Sequence, residues 1–127
     1  MSLLFVALGG AAGAVTRYGV SGWVYTRFSD SFPWGTLVVN VLGSLLLGFF
    51  LAYAESSIVS PELRRAVTIG FLGAFTTFST FAYESVALME DGEWLRAGGY
   101  VAGSLILGVG AVLAGLALAS TLLETRG

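Results

Sequence analysis

Apolar residues dominate the chain in four long runs, and most of the charges, with both prolines, gather in the short gaps between them. The runs cover about residues 3–24, 34–53, 65–89 and 97–123. Each is near the ~20 residues an α-helix needs to cross the hydrocarbon core of a bilayer. Lipid offers backbone amides no partners, so such runs are expected as helices, which close their hydrogen bonds within the segment. The gaps, YTRFSDSFP, AESSIVSPELRR and EDGEW, are too short to hold a further domain. The pattern predicts a single all-α membrane domain over residues 1–127 with four transmembrane helices. The first run lacks a basic start and outlasts the apolar core of a cleavable signal, so it reads as a retained span.

Small residues recur at four-residue spacing within the runs: Gly9 and Gly13, Ser44 and Gly48, Gly99 and Gly103. Such pairs let helix backbones approach where no hydrophobic effect drives them together. Four thin helices enclose little interior, so a homo-oligomer is expected if the protein moves anything, with the pathway at or near a subunit interface. An even number of spans puts both termini on one side. That side carries Arg64, Arg65 and Arg126; the other carries Arg27 and Arg96, and Arg17 if a buried residue is counted. Arginine bias in short loops sets orientation, and here it is almost nil. Either the topology is weakly determined or the chain inserts both ways round.

Composition narrows the chemistry. Hydrophobic residues make up 56% of the chain and charged ones only 11%, with a mean hydropathy of +0.85, which a small soluble domain could not bury. The absence of cysteine removes disulfides and thiolate chemistry, and the absence of histidine removes the usual metal and proton-shuttle ligand. A net charge of −2 gives nucleic acid no purchase. No nucleophile–base pair is evident, so the chain is not expected to be an enzyme.

Polar groups inside the spans are costly and so are functional candidates. Arg17 lies about two-thirds along the first run. It either snorkels to the nearer interface or supplies a fixed positive charge for an anion or a carboxylate. Asn40 sits mid-run in the second, on a face with Thr36, Ser44 and Gly48. Its amide can donate to an anion or bridge two helices. Glu84, in the third run, could pair with an arginine, hold water or stay protonated. Tyr100, Ser104 and Gly108 form a stripe at i, i+4 in the fourth.

The third run also holds GFLGAFTTFSTF, residues 70–81, with four hydroxyls and four phenylalanines in twelve positions. Gly70, Gly73 and the hydroxyl residues are poor helix formers, so a break is expected between Gly73 and Thr76. Non-helical backbone at membrane depth must be buried in protein or line a wet cavity, and freed carbonyls suit a hard cation such as Na⁺. Phe75, Phe78 and Phe81 recur every third residue, and the partly positive ring edge can face an anion without binding it strongly.

Together with GTLVVN in the second run and GGAAGAVTRY in the first, this stretch resembles the Fluc or CrcB family of small fluoride channels over nearly the whole chain. The resemblance implies an antiparallel dual-topology homodimer, its third helix broken mid-membrane, embedded in the bilayer of the cell inner (plasma) membrane. It would export fluoride passively through two pores. By motif position, Gly73 and Thr76 would give backbone carbonyls to a structural Na⁺ at the dimer interface. Phe78 and Phe81 would line the pores, and Asn40 would contact fluoride or orient the rings. Tyr100 and Ser104 match a polar track, with Thr77, Ser79 and Thr80 as further hydroxyls. Glu84 matches an acidic residue beside the pathway, and Arg17 a vestibule arginine. The family often has two glycines where this chain has Gly73–Ala74, and Gly108 stands where a second serine would extend the track. The alternative is a small dual-topology exporter of another ion or molecule, although such exporters need an acidic residue in the first span, where this chain has Arg17.

Overall fold

The computed structural model describes residues 2–29 and 31–126. Helix α1 spans Ser2–Arg27 and α2 spans Trp34–Ser56. The third run is assembled from pieces: α3 (Pro61–Arg65), a π-helical stretch (Ala66–Leu72), α4 (Gly73–Phe75) and α5 (Phe78–Glu90). Helix α6 spans Trp94–Arg126. With α3 to α5 taken together, four helical segments are long and apolar enough to cross a membrane. Each outruns its apolar run by a few residues, because helical hydrogen bonding continues past the hydrocarbon edge. At ~1.5 Å per residue, α6 is about 50 Å long against a hydrocarbon core of ~30 Å.

Local chemistry sets the ends of the third segment. Ser60 caps α3, its hydroxyl accepting the Leu63 N–H at 3.2 Å, with Pro61 at the first helical position, where its missing N–H costs nothing. Gly92 ends the segment with φ 75°, a left-handed turn that glycine adopts without steric cost.

Glycine packing fixes how the helices meet. A side chain at Gly9 would run into the Ala66 carbonyl, and one at Gly13 into the Phe71 backbone. From the other side, a methyl at Gly70 would lie 2.7 Å from the Val6 carbonyl oxygen. The α1 backbone therefore lies directly on the π-helical stretch. The α2–α6 contact works alike: a methyl at Gly115 would lie 2.7 Å from the Phe49 nitrogen, and one at Gly48 would strike the Val112 carbonyl. A methyl at Gly99 or Gly103 meets nothing within 4 Å among the described residues. Their four-residue spacing falls on a face of α6 that no other described segment of the chain covers.

Few large side chains are fully buried: Tyr100, Phe75, Val24 and Val39. Leu3, Leu8, Val15, Ile69, Leu105, Ile106 and Leu113 are exposed around the outside, as lipid contact permits. Replacing Gly48 with alanine forces the α2 and α6 backbones apart and should cost about 1–3 kcal/mol. Gly19→Ala, with open space at its Cβ, should leave stability within about 0.5 kcal/mol of wild type. Thermal unfolding in detergent compares the two.

Candidate site at the helix break

The helix breaks at Thr76 (φ −88°, ψ 158°) and Thr77 (φ −148°, ψ 118°), both extended. This lies later than the expected Gly73–Thr76, since Gly73 stays helical at φ −61°, ψ −37°. Gly70 is used for close packing against α1, whereas a methyl at Gly73 would meet only the Thr68 carbonyl oxygen, at 3.7 Å. The unwinding falls instead on two adjacent β-branched residues whose hydroxyls bond the backbone, Thr76 donating to the Leu72 carbonyl and Thr77 accepting the Thr80 N–H.

Asn40, from α2, holds the break open. Its Oδ1 accepts the Thr77 N–H at 2.8 Å, and its Nδ2 donates to the Thr77 carbonyl at 3.1 Å. Thr77 then caps α5, its Oγ1 accepting the Thr80 N–H at 3.3 Å. These bonds have a second effect. In an unbroken helix the Thr77 N–H would bond the Gly73 carbonyl, and the Thr80 N–H would bond the Thr76 carbonyl. Both donors are diverted to side chains, and neither carbonyl receives a backbone donor among the described residues. Gly43 makes room for the chain here: a methyl there would lie 3.2 Å from the Phe75 ring and would strike the Thr76 methyl.

Two clefts flank the break, and Thr77 lines both. One, of about 210 Å³, gathers Asn40, Ser44, Phe78, Phe81, Ser104 and Gly108. Among the described residues Ser104 Oγ is buried without a hydrogen-bond partner, and Asn40 retains its second N–H. Phe78 is 79% exposed, whereas Phe81 packs on the buried Tyr100 at 5.1 Å between ring centroids. The other cleft, of about 290 Å³, collects Arg17, Ser21, Tyr25, Thr36, Thr80 and Glu84. Glu84 accepts Tyr25 O–H on Oε2 at 3.2 Å and Tyr100 O–H on Oε1 at 3.1 Å. Among the described residues the one ion pair is Arg96–Glu93, so Arg17 and Glu84 share a cleft without pairing.

The chain matches the family model described as "CrcB-like protein, Camphor Resistance (CrcB)" over residues 4–116. It belongs to the CrcB family. A relative from Shewanella loihica, named fluoride-specific ion channel FluC, is 54% identical over 96 residues, covering 76% of this chain and 77% of its own. One of the same name from Opitutus terrae is 49% identical over 119 residues, covering 91% and 90%. A third, from Geotalea uraniireducens, is 50% identical over 97 residues, covering 76% and 78%. These relatives are named as ion channels, not enzymes.

In this CrcB chain the expected site residues divide by position. Asn40, Thr77, Phe78, Phe81 and Ser104 meet in one cleft, and Arg17, Thr77, Thr80 and Glu84 in the other. Tyr100 opens onto neither, being fully buried beneath Phe81. Ser79 is exposed and lines neither cleft. Thr76 sits at the break itself and Gly73 in the helical turn before it, and the Thr76 hydroxyl donates back to the Leu72 carbonyl at 3.0 Å. Sequence reasoning missed Gly43 and Tyr25. The signal for Tyr25 was present, since Arg17, Ser21 and Tyr25 recur every fourth residue on one face.

Replacing Asn40 with alanine leaves the Thr77 N–H and C=O unpaired, at about 1–3 kcal/mol for each group that water cannot reach. Thermal unfolding of Asn40→Ala should show at least the loss of one such group, whereas Ser79→Ala should unfold like wild type.

Proposed function

We propose that the chain is a passive fluoride channel that works as an antiparallel, dual-topology homodimer in the cell inner (plasma) membrane. The observation that carries this reading is the cleft holding the free Asn40 N–H, the unpartnered Ser104 hydroxyl and the Phe78 and Phe81 rings. A small, strongly hydrated anion needs donors that replace water but release it again. Neutral amide and hydroxyl groups, with ring edges, meet both demands better than a lysine in contact would. Arg17, without an ion-pair partner among the described residues, stands in the neighbouring cleft and raises the local anion concentration without closing on the ion. The choice of fluoride is supported by the names of the relatives.

Dimerisation completes the pathway. Phe78, 79% exposed beside a polar cleft, is the edge that a second copy would cover. The near-zero arginine bias lets the two copies insert in opposite senses, giving two pores per dimer. The Gly73 and Thr76 carbonyls, deprived of backbone donors, would hold a central Na⁺. That ion would supply positive charge that ties the carbonyl ends of two broken helices together.

Direction follows from the driving force. Fluoride enters an acid-exposed cell as neutral HF and ionises in the more alkaline interior. An interior-negative potential then drives the anion out, by ~2.3 kcal/mol per charge per 100 mV. No coupled energy source is required.

Liposomes holding the purified protein should release fluoride and retain chloride, each followed with an ion-selective electrode. Equal chloride release, or none of fluoride, contradicts the reading. Phe81→Ile should abolish fluoride release while the protein remains folded and dimeric. Orientation is open to test because the chain has no cysteine. A cysteine placed at Ser31 should be labelled by an impermeant reagent from both sides of the membrane, and labelling from one side alone excludes dual topology.

A further inference from the structure

Tyr25 reaches the site from α1, on the face that also carries Arg17 and Ser21. Its hydroxyl donates to Glu84 Oε2 at 3.2 Å, while Tyr100, from α6, donates to Oε1 at 3.1 Å. Each carboxylate oxygen is thus held by one hydroxyl, and the two hydroxyls come from different helices. The Tyr25 ring rests in the space left by Gly35, where a methyl would lie 2.8 Å from its Cζ and 2.9 Å from its Cδ2. Tyr100 has no freedom to compensate for Tyr25. It is fully buried, packed on Phe81 at 5.1 Å and edge-on to Phe32 at 5.4 Å.

Tyr25 and Glu84 also line a further cavity of about 200 Å³, with Ser31, Pro33 and Asp91. They therefore stand where the inner cleft meets a mouth at the loop end of the bundle. We propose that Tyr25 is a positioning residue of the anion pathway, anchoring the Glu84 carboxylate to α1 at this junction. The proposal rests on the channel reading above. With its Oε2 donor removed, Glu84 hangs from Tyr100 alone, and the cation sharing its cleft is Arg17. At short range the two opposite charges attract. A Glu84–Arg17 pair would cancel the positive charge that gathers the anion. Tyr25 keeps the two charges apart, and Gly35 keeps Tyr25 in place.

Tyr25→Phe removes one hydroxyl and no ring. Fluoride efflux from proteoliposomes should fall at least about tenfold, the lower end of what one hydrogen bond to a charged group corresponds to. Gly35→Ala, which displaces the ring, should give the same loss, and so keeps the test open if Tyr25→Phe folds poorly. In a Glu84→Gln background, Tyr25→Phe should change nothing further. The carboxylate stretch of Glu84, isolated as the infrared difference between wild type and Glu84→Gln, should shift in Tyr25→Phe. Undiminished efflux, an equal loss in the Glu84→Gln background, or an unshifted band overturns the proposal. If the wild type releases no fluoride, the channel reading falls instead, and the infrared band still decides whether Tyr25 holds Glu84.

Discussion

Asn40 commits both ends of its amide to one residue of the third membrane segment, accepting from the Thr77 N–H and donating to the Thr77 carbonyl. In water such a pair would matter little. At membrane depth it replaces two backbone hydrogen bonds that lipid cannot supply, and so allows the helix to stop and restart. Three consequences follow from that interruption. The Gly73 and Thr76 carbonyls are left without backbone donors, α5 restarts on a Thr77 cap, and Phe78 and Phe81 turn toward the cleft that Asn40 also lines. Asn40 thus bridges two segments and still keeps one amide N–H for the cleft it lines.

The hydroxyls of the break sort by what they already bond. Thr76 donates to the Leu72 carbonyl, and Thr77 Oγ1 accepts from the Thr80 N–H while donating to Thr80 Oγ1 at 3.0 Å. These groups repair the broken backbone. Thr80 accepts that bond and so keeps its own hydrogen for the cleft it shares with Arg17. Ser104 keeps both its hydrogen and its lone pairs. The chemistry open to an anion is therefore narrower than the polar composition of the segment implies, and it lies on both sides of α5.

Much of this was legible in the sequence because membranes simplify the problem. Run length and the obligation to pair every amide dictate four helices, and the Gly9–Gly13 and Ser44–Gly48 pairs announce two of the packing faces. Asn40 was conspicuous as an amide in an apolar run. What the sequence hid was relational. Gly73 carries the lowest local helix propensity, yet the helix passes through it and fails three residues later, because propensity is decided by which side chain stands opposite. The π-helical stretch carries no period that hydropathy could reveal. Gly99 and Gly103 have the spacing of a packing pair, yet a methyl at either would meet nothing within 4 Å among the described residues. Tyr25 stands in the first gap of the sequence, and only the fold brings its hydroxyl to a carboxylate 59 residues away.

If the Asn40–Thr77 pair creates the break on which the proposed pathway depends, site-resolved amide exchange in lipid bilayers, compared between wild type and Asn40→Ala, should find the wild-type Thr77 amide as protected as its helical neighbours. In Asn40→Ala that protection should collapse, and fluoride release from the same preparation should fall with it. A Thr77 amide that exchanges freely in the wild type, or fluoride release that survives the loss of its protection, would contradict the account.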